Sequence, residues 1–241
     1  EIRGNFMSDV AHELRTPMTT ISGFVDGMLD GTIPPEKQKD YMTIVRDEVV
    51  RLSSLVNSFL ELTRIQKGDR VLETTNFDIN ETIRRTLVGF EKNITEKEIC
   101  VDVNFEKDSL MVKGDMNAIR QVMTNLIENA IKFTPKGGIL KVSVTESRRE
   151  AQISVYNTGC GISPEDQKMI FERFYKADKS REKREGTGLG LSIANEILKL
   201  SGETIWVVSK PGGGAAFTFT MPLAADETVV GQELQSRMNN N

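Results

Sequence analysis

Residues 118–132 run Ala118-Ile119-Arg120-Gln121-Val122-Met123-Thr124-Asn125-Leu126-Ile127-Glu128-Asn129-Ala130-Ile131-Lys132 and read as one helix with two faces. Ile119, Val122, Met123, Leu126, Ile127, Ala130 and Ile131 recur at helical spacing and make a core stripe. Asn125, Glu128, Asn129 and Lys132 stand at i, i+3, i+4 and i+7 and make a second, polar stripe. Asn is a weaker helix former than Lys or Glu, so a face that merely meets water has no reason to prefer two of them. Amide oxygens and a carboxylate one turn apart suit a Mg²⁺ ion that keeps several of its waters, and Lys132 adds positive charge for phosphate.

On both sides of this helix short β-rich runs alternate with helical patterns. The sequence predicts helices at 79–95, 115–133 and 189–201, and strands at 99–105, 110–113, 139–146, 150–156, 204–209 and 215–221. Between Gly159 and Gly190 lies a long charged connection with little hydrophobic period, the kind of segment that acts as a functional lid or is disordered. Upstream, residues 5–67 hold helical patterns and almost no strand. Met7, Val10, Leu14, Pro17, Ile21, Phe24 and Met28 form one heptad seam, and Met42, Val45, Val49, Leu52, Val56 and Phe59 form another. Gly31-Thr32-Ile33-Pro34-Pro35 cannot continue a helix, so the two segments should fold back as a hairpin. Leu55 and Leu62 widen the second stripe beyond a two-helix seam, and pairing two hairpins into a four-helix bundle in a homodimer would bury the surplus. The expectation is an α+β chain: a helical hairpin at 1–67, a linker at 68–76, an α/β domain at 77–222 and a tail at 223–241.

Composition narrows the function. Of 241 residues 38% are hydrophobic, and with 19 glycines the apolar share falls in the globular range of about 45 to 50%, which excludes disorder and collagen. A net charge of -4 leaves no basic surplus for nucleic acid or acidic lipid. Cys100 and Cys160 read as free thiols in a reducing compartment, and no run approaches the roughly 18 apolar residues of a membrane span. Direct membrane contact by this chain is not expected.

His12 is the only histidine, and the heptad frame turns it away from the seam. Its bland reading is a solvated surface residue. Glu13 beside it could hold its tautomer or take its proton, which would make the imidazole a nucleophile. Thr16, at i+4, could aim a water along the same face, and Pro17 inside the helix removes one hydrogen bond and should bend the axis. Three glycine clusters follow, at 159–161, 186–190 and 212–214. The second opens directly into a helix, which makes it a phosphate site by backbone N–H groups and dipole. The third reads as a tight β-turn.

In order, Phe6 to Pro17, Asn125 to Thr134, Gly159-Cys160-Gly161-Ile162, Phe171-Glu172-Arg173-Phe174 and Gly186-Thr187-Gly188-Leu189-Gly190-Leu191 resemble the H, N, first glycine, F and second glycine boxes of bacterial sensor histidine kinases. The resemblance spans about residues 5–222. It implies a dimerisation and phosphoacceptor hairpin joined to a Bergerat-type ATP-binding sandwich. It implies that His12 accepts phosphate, with Glu13 as acid/base partner and Thr16 orienting water in a phosphatase reaction. It makes Asn129 the Mg²⁺ ligand, with Asn125 and Lys132 near the phosphates and Glu128 supporting the metal's waters. Phe133, Gly159, Gly161 and Ile162 join the nucleotide site, Phe171, Arg173 and Phe174 anchor the lid, and Gly186, Thr187, Gly188, Leu189, Gly190 and Leu191 wrap the phosphates.

The family usually carries Asp where Asn157 stands, to accept a hydrogen bond from the adenine amino group. An Asn carbonyl can accept the same bond without charge assistance. The resemblance thus implies an ATP- and Mg²⁺-dependent protein-histidine kinase that passes the phosphoryl group to a response-regulator aspartate. It further implies a cytoplasmic location, with a membrane anchor in the full-length parent. The alternatives are a non-catalytic nucleotide-binding dimeric scaffold, or an ATPase of the same superfamily such as the gyrase type; residues 6–17 argue against the latter.

Overall fold

The computed structural model describes residues 2–177 and 187–224, with side chains from Ser8 onward. The chain divides into two compact units. One comprises Glu1–Arg70 with Met169–Ile193, the other Val71–Lys168 with Ala194–Asn241. The sequence places the whole of 77–222 in one domain, whereas the segment Met169–Ile193 clusters with the hairpin. The physical reason lies in side chains that the hydrophobic pattern does not encode, described with the site below.

The hairpin consists of α1 (Ile2–Leu29) and α2 (Pro35–Lys67). The turn between them is built locally. The Asp30 carboxylate accepts the Thr32 N–H at 2.8 Å, and hydrogen bonding from the Thr32 side chain first and its N–H second lowers the Asp30 pKa, while the Ile33 N–H reaches back to the Gly27 carbonyl. Pro35 starts α2 at the position where a missing N–H costs nothing. At the far end Gly68, in the left-handed region at φ 73°, donates to the Arg64 and Ile65 carbonyls and stops the helix where the sequence places its end. On α1 the expected seam holds from Val10 onward: Val10 and Pro17 are buried, and Leu14, Ile21, Phe24 and Met28 are half-buried, while the Met7 side chain lies outside those described. On α2 the seam is different from the expected one. Leu55 and Leu62 are buried, with Val45 and Leu52 half-buried beside them, whereas Met42, Val49 and Val56 are exposed. Two helices in contact bury one line of each, and α2 carries two apolar lines, so period alone does not decide between them.

The second unit begins with β1 (Thr75–Asp78), which pairs antiparallel with β3 (Met111–Gly114) in a two-stranded ribbon. The expected linker 68–76 therefore ends early, because Phe77 is buried and Thr75 pairs with Gly114. The expected helix 79–95 is two helices, α3 (Ile79–Gly89) and α4 (Glu91–Glu96), separated at Phe90, whose N–H turns back to the Leu87 and Val88 carbonyls. Gly89 is a poor residue for continuing a helix, and the break falls directly after it. Strand β2 (Cys100–Phe105), helix α5 (Met116–Phe133), strands β4 (Ile139–Ser147) and β5 (Glu150–Asn157), the single turn α6 (Pro164–Gln167), helix α7 (Gly190–Leu200), and strands β6 (Ile205–Ser209) and β7 (Ala215–Pro222) complete the fold. Those beyond α4 fall within a residue or two of expectation, except α6. That turn sits inside the charged connection, where Ser163 caps it by accepting the Asp166 N–H.

The main sheet has the order β2-β4-β5-β7-β6, with β2 and β4 parallel and every other pair antiparallel. Strict alternation along β4 and β5 buries Leu140, Val142, Val144, Ala151, Ile153 and Val155 on one face. Helices α3 and α5 contact each other, and α5 contacts β5, so Ile79, Ile83, Val122, Met123, Leu126 and Ile127, each 0% exposed, close the core. Burial of side chains this large stabilises by about 1.5 to 3 kcal/mol each. Among the described residues no helix is long and apolar enough to cross a membrane, and Cys100 and Cys160 are unpaired and exposed.

Candidate functional site

In the first unit, His12 and Thr16 are exposed on α1 and line one shallow recess with Arg15, Thr19 and Thr20. The helix continues through Pro17, which is buried rather than solvent-facing. The Thr16 hydroxyl donates to the His12 carbonyl at 3.4 Å, a long back-bond that leaves its oxygen as an acceptor on the His12 face. Glu13 is engaged elsewhere. Both of its carboxylate oxygens accept from the Lys176 ammonium, at 3.0 and 2.9 Å, with each side chain only 22% exposed. The Gln66 amide lies against the Arg173 guanidinium. These two polar contacts join Lys176 and Arg173, in the segment Met169–Ile193, to α1 and to the end of α2.

Within that segment, Phe174 and Gly188 meet backbone to backbone. The Phe174 N–H donates to the Gly188 carbonyl at 3.1 Å, and a Cβ on Gly188 would come within 2.9 Å of the Phe174 main chain. Gly188 also has φ +73°, so a close approach and a left-handed backbone both require glycine there. The structure thus joins the Phe171–Phe174 stretch, both of whose phenylalanines are half-buried, to the glycine cluster. Thr187 Oγ1 accepts the Leu189 N–H at 3.3 Å, Leu189 is buried, and Gly190 and Leu191 open α7 as expected. Gly186 lies outside the described residues.

The second unit holds the two-faced helix. The core stripe of α5 is buried as read, and the polar stripe is graded: Asn125 and Asn129 are half-buried, Glu128 and Lys132 exposed. The Lys132 ammonium sits 4.8 Å from the Phe133 ring centroid. Both ends of the helix are fixed by residues that sequence reasoning missed. At the start Asp115 Oδ1 accepts the Asn117 and Ala118 N–H groups, and its other oxygen accepts the Glu73 N–H. The signal was present, since Asp before a helical period is a strong N-cap. At the end the Lys97 ammonium donates to the carbonyls of Ile131, Lys132 and Thr134, at 2.8, 2.9 and 3.2 Å. Nothing local announces that contact, which spans more than thirty positions.

Asn157 is buried at the end of β5. A Cβ at Gly159 would fall 2.7 Å from the Phe133 carbonyl and 2.9 Å from the Asn157 amide nitrogen, so the glycine lets these groups converge. The end of α5, Asn157 and the first glycine loop therefore form one cluster. Gly161 is as constrained as Gly188: its φ is +71°, and a Cβ there would lie 1.9 Å from the Lys210 carbonyl. Ile162 is half-buried.

Two observations bear on a bound nucleotide and metal. The side-chain nitrogen of Asn125 is buried and has no hydrogen-bond partner, a cost of about 1 to 3 kcal/mol that an anionic acceptor would remove. Among the described residues no group of three or more His, Cys, Asp or Glu could cage a metal. The residues fit an ion held by one amide or carboxylate and by phosphate oxygens, the habit of Mg²⁺.

Residues 2–68 match the family described as the His Kinase A (phospho-acceptor) domain, and residues 114–225 match the histidine kinase-, DNA gyrase B- and HSP90-like ATPase family. The chain is 33% identical to sensor histidine kinase WalK of Bacillus subtilis over 232 residues, which is 93% of this chain and 37% of WalK. It superimposes on histidine kinase ThkA, in a crystal structure with response regulator protein TrrA, with a TM-score of 0.79 and 33% identity, over 92% of this chain and 62% of that one. The isolated ThkA catalytic domain matches at 34% identity and a TM-score of 0.57, over 63% of this chain and 96% of that domain. This chain belongs to the histidine kinase family, and it combines the family's phosphoacceptor hairpin with its ATPase-like sandwich. It spans about a quarter to just over half the length of the curated relatives it matches.

Replacing Asn125 by Leu removes the unpaired buried donor and keeps the branch at Cγ. The nucleotide-free protein should gain about 1 to 3 kcal/mol, seen as a rise of several degrees in Tm by calorimetry. An unchanged or lower Tm would mean that the amide has a partner in solution.

Proposed function

We propose that this chain is an ATP-dependent protein-histidine kinase that phosphorylates His12 and passes the phosphoryl group to an aspartate of a response regulator. The observation that carries the reading is an exposed imidazole, the only one in the chain, with a carboxylate next to it and a hydroxyl one turn on. An exposed nucleophile on a helix can meet both a nucleotide and a partner protein, as a buried one cannot. In the transfer, an imidazole nitrogen attacks the γ-phosphorus in line, an N–P bond forms, and the bond to the ADP oxygen breaks. Glu13 takes or orients the proton on the other ring nitrogen. Each Glu13 oxygen accepts once from Lys176 in this conformation and keeps a second lone pair for the imidazole N–H.

On the nucleotide side, Asn125 donates to phosphate, Lys132 balances its charge, and Gly186 to Leu191 wrap it, with Phe133, Gly159, Gly161 and Ile162 beside it. Phe171, Arg173 and Phe174 hold the lid. Asn129 holds Mg²⁺ and Glu128 its water shell; the ion would supply positive charge against the developing phosphate charge. Asn157 accepts from the adenine amino group. A dimer is supported by the exposed apolar line Met42, Val49 and Val56 on α2, which a second hairpin would cover. A cytoplasmic setting accords with the unpaired cysteines.

Incubation with γ-labelled ATP tests the reading: the label on the parent should be acid-labile and base-stable, and His12→Gln should abolish it while nucleotide affinity stays unchanged. Label persisting on that variant would remove His12 as acceptor. Thr16→Ala should autophosphorylate within a few fold of the parent yet lose dephosphorylation of the regulator, because the hydroxyl can hold a water on the His12 face. Equal loss of both activities would make it structural instead.

Asn157→Asp should tighten ATP about fivefold and sharpen discrimination against GTP. A charged acceptor is stronger than a neutral one by roughly 1 kcal/mol, and a carboxylate repels the guanine carbonyl. Calorimetry showing weaker ATP binding, or an unchanged ratio of the two nucleotides, would place the base out of direct contact with residue 157.

A further inference from the structure

The third glycine cluster, which the sequence suggests only as a turn, does more than reverse the chain. The turn between β6 and β7 is laced to the loop Gly159–Ile162 that follows β5. The Gly212 N–H donates to the Cys160 carbonyl at 2.6 Å, and the Gly214 N–H to the Gly159 carbonyl at 3.2 Å. The Tyr156 hydroxyl donates to the Gly213 carbonyl at 3.3 Å. The first two of these bonds use only backbone groups, which any sequence supplies.

Two side chains complete the lacing. The Ser209 hydroxyl accepts the Ile162 N–H at 2.8 Å and donates to the Gly214 carbonyl at 2.5 Å. One oxygen atom thus ties the loop to the turn. The Gln167 amide, at the end of α6, donates to the Ile162 carbonyl at 2.9 Å and to the Ser209 carbonyl at 3.1 Å. Ile162 therefore has both its backbone polar groups committed to side chains more than forty positions away or on the next short helix. Its neighbour Gly161 has no room for a Cβ against Lys210, so loop and turn touch along their length.

We infer that Ser209 and Gln167 are positioning residues for the nucleotide: their clasp on Ile162 sets the Gly159–Ile162 loop in its binding conformation before ligand arrives. The inference rests on the nucleotide reading above. A loop held in advance loses little entropy on binding; a loop freed of its clasp must be ordered by the ligand, and affinity falls while the chemical step is untouched. The effect should be confined to ATP affinity.

The test uses the full chain with Ser209→Ala, Ser209→Thr and Gln167→Met. In the nucleotide-free protein, exchange of the Ile162 amide, followed by NMR, should accelerate at least about tenfold in Ser209→Ala and return toward the parent in Ser209→Thr, which keeps the hydroxyl. ATP affinity by calorimetry should weaken about tenfold in Ser209→Ala and Gln167→Met, the consequence of losing in each the one hydrogen bond made to Ile162. KM for ATP in autophosphorylation should rise in step, with the maximum rate within twofold. If Ser209→Ala does not fold, Gln167→Met carries the same comparison. Unchanged ATP affinity in a folded variant whose Ile162 amide has lost protection would overturn the inference while leaving the nucleotide reading intact. So would a fall in maximum rate equal to the rise in KM. A parent chain that bound no nucleotide would remove both.

Discussion

The rest of the second unit depends on one helix being held at both ends. Helix α5 has to bury one face completely and present the opposite face, half in and half out of water, at a fixed height and rotation. Burial of Val122, Met123, Leu126 and Ile127 fixes the rotation. The Asp115 cap and the Lys97 ammonium fix the ends, and each neutralises partial charge where the helix dipole exposes it. A helix free to slide or fray would carry Asn125, Asn129 and Lys132 with it. The half-buried amides then follow as a consequence: an Asn pinned this way can keep a buried donor unpaired at a cost the core absorbs.

The loops around the helix show a similar economy. At Gly159 and Gly161 the missing side chain leaves room for carbonyl groups of the α5 end and of the β6–β7 turn. At Gly188 it leaves room for the Phe174 main chain. In each case the backbone approaches more closely than any side chain would allow, and the space saved is what a ligand with several oxygens needs to reach backbone N–H groups.

The phosphoacceptor hairpin obeys a different constraint. Its two helices have more apolar surface than one contact can bury, and His12 and Thr16 stand on the wet face. The Glu13–Lys176 pair shows that the carboxylate beside His12 can be occupied by a cation from the segment that follows α6. At about one-fifth exposure such a pair is worth more than a fully solvated one.

Whatever repeats within a few residues is legible in the chain's amino-acid order. The two stripes of α5, the alternation of β4 and β5, the seam of α1, the stop at Gly68 and the outward turn of His12 are all consequences of helical or strand period and local turn chemistry, and they appear where the residues place them. Two of the four-residue elements, β1 and α6, are not announced, because so short a run carries almost no period, whereas the equally short β3 falls where the residues place it. Which apolar line of α2 faces α1 was equally undecided, since both lines satisfy the same spacing and only the partner helix chooses. Tertiary structure alone decided that Lys97 closes α5, that Lys176 pairs with Glu13, and that Ser209 and Gln167 hold Ile162. Most of these contacts join residues thirty or more positions apart. Hydrogen bonds and ion pairs at that range depend on where folded elements bring two side chains, and no local pattern records the distance between them.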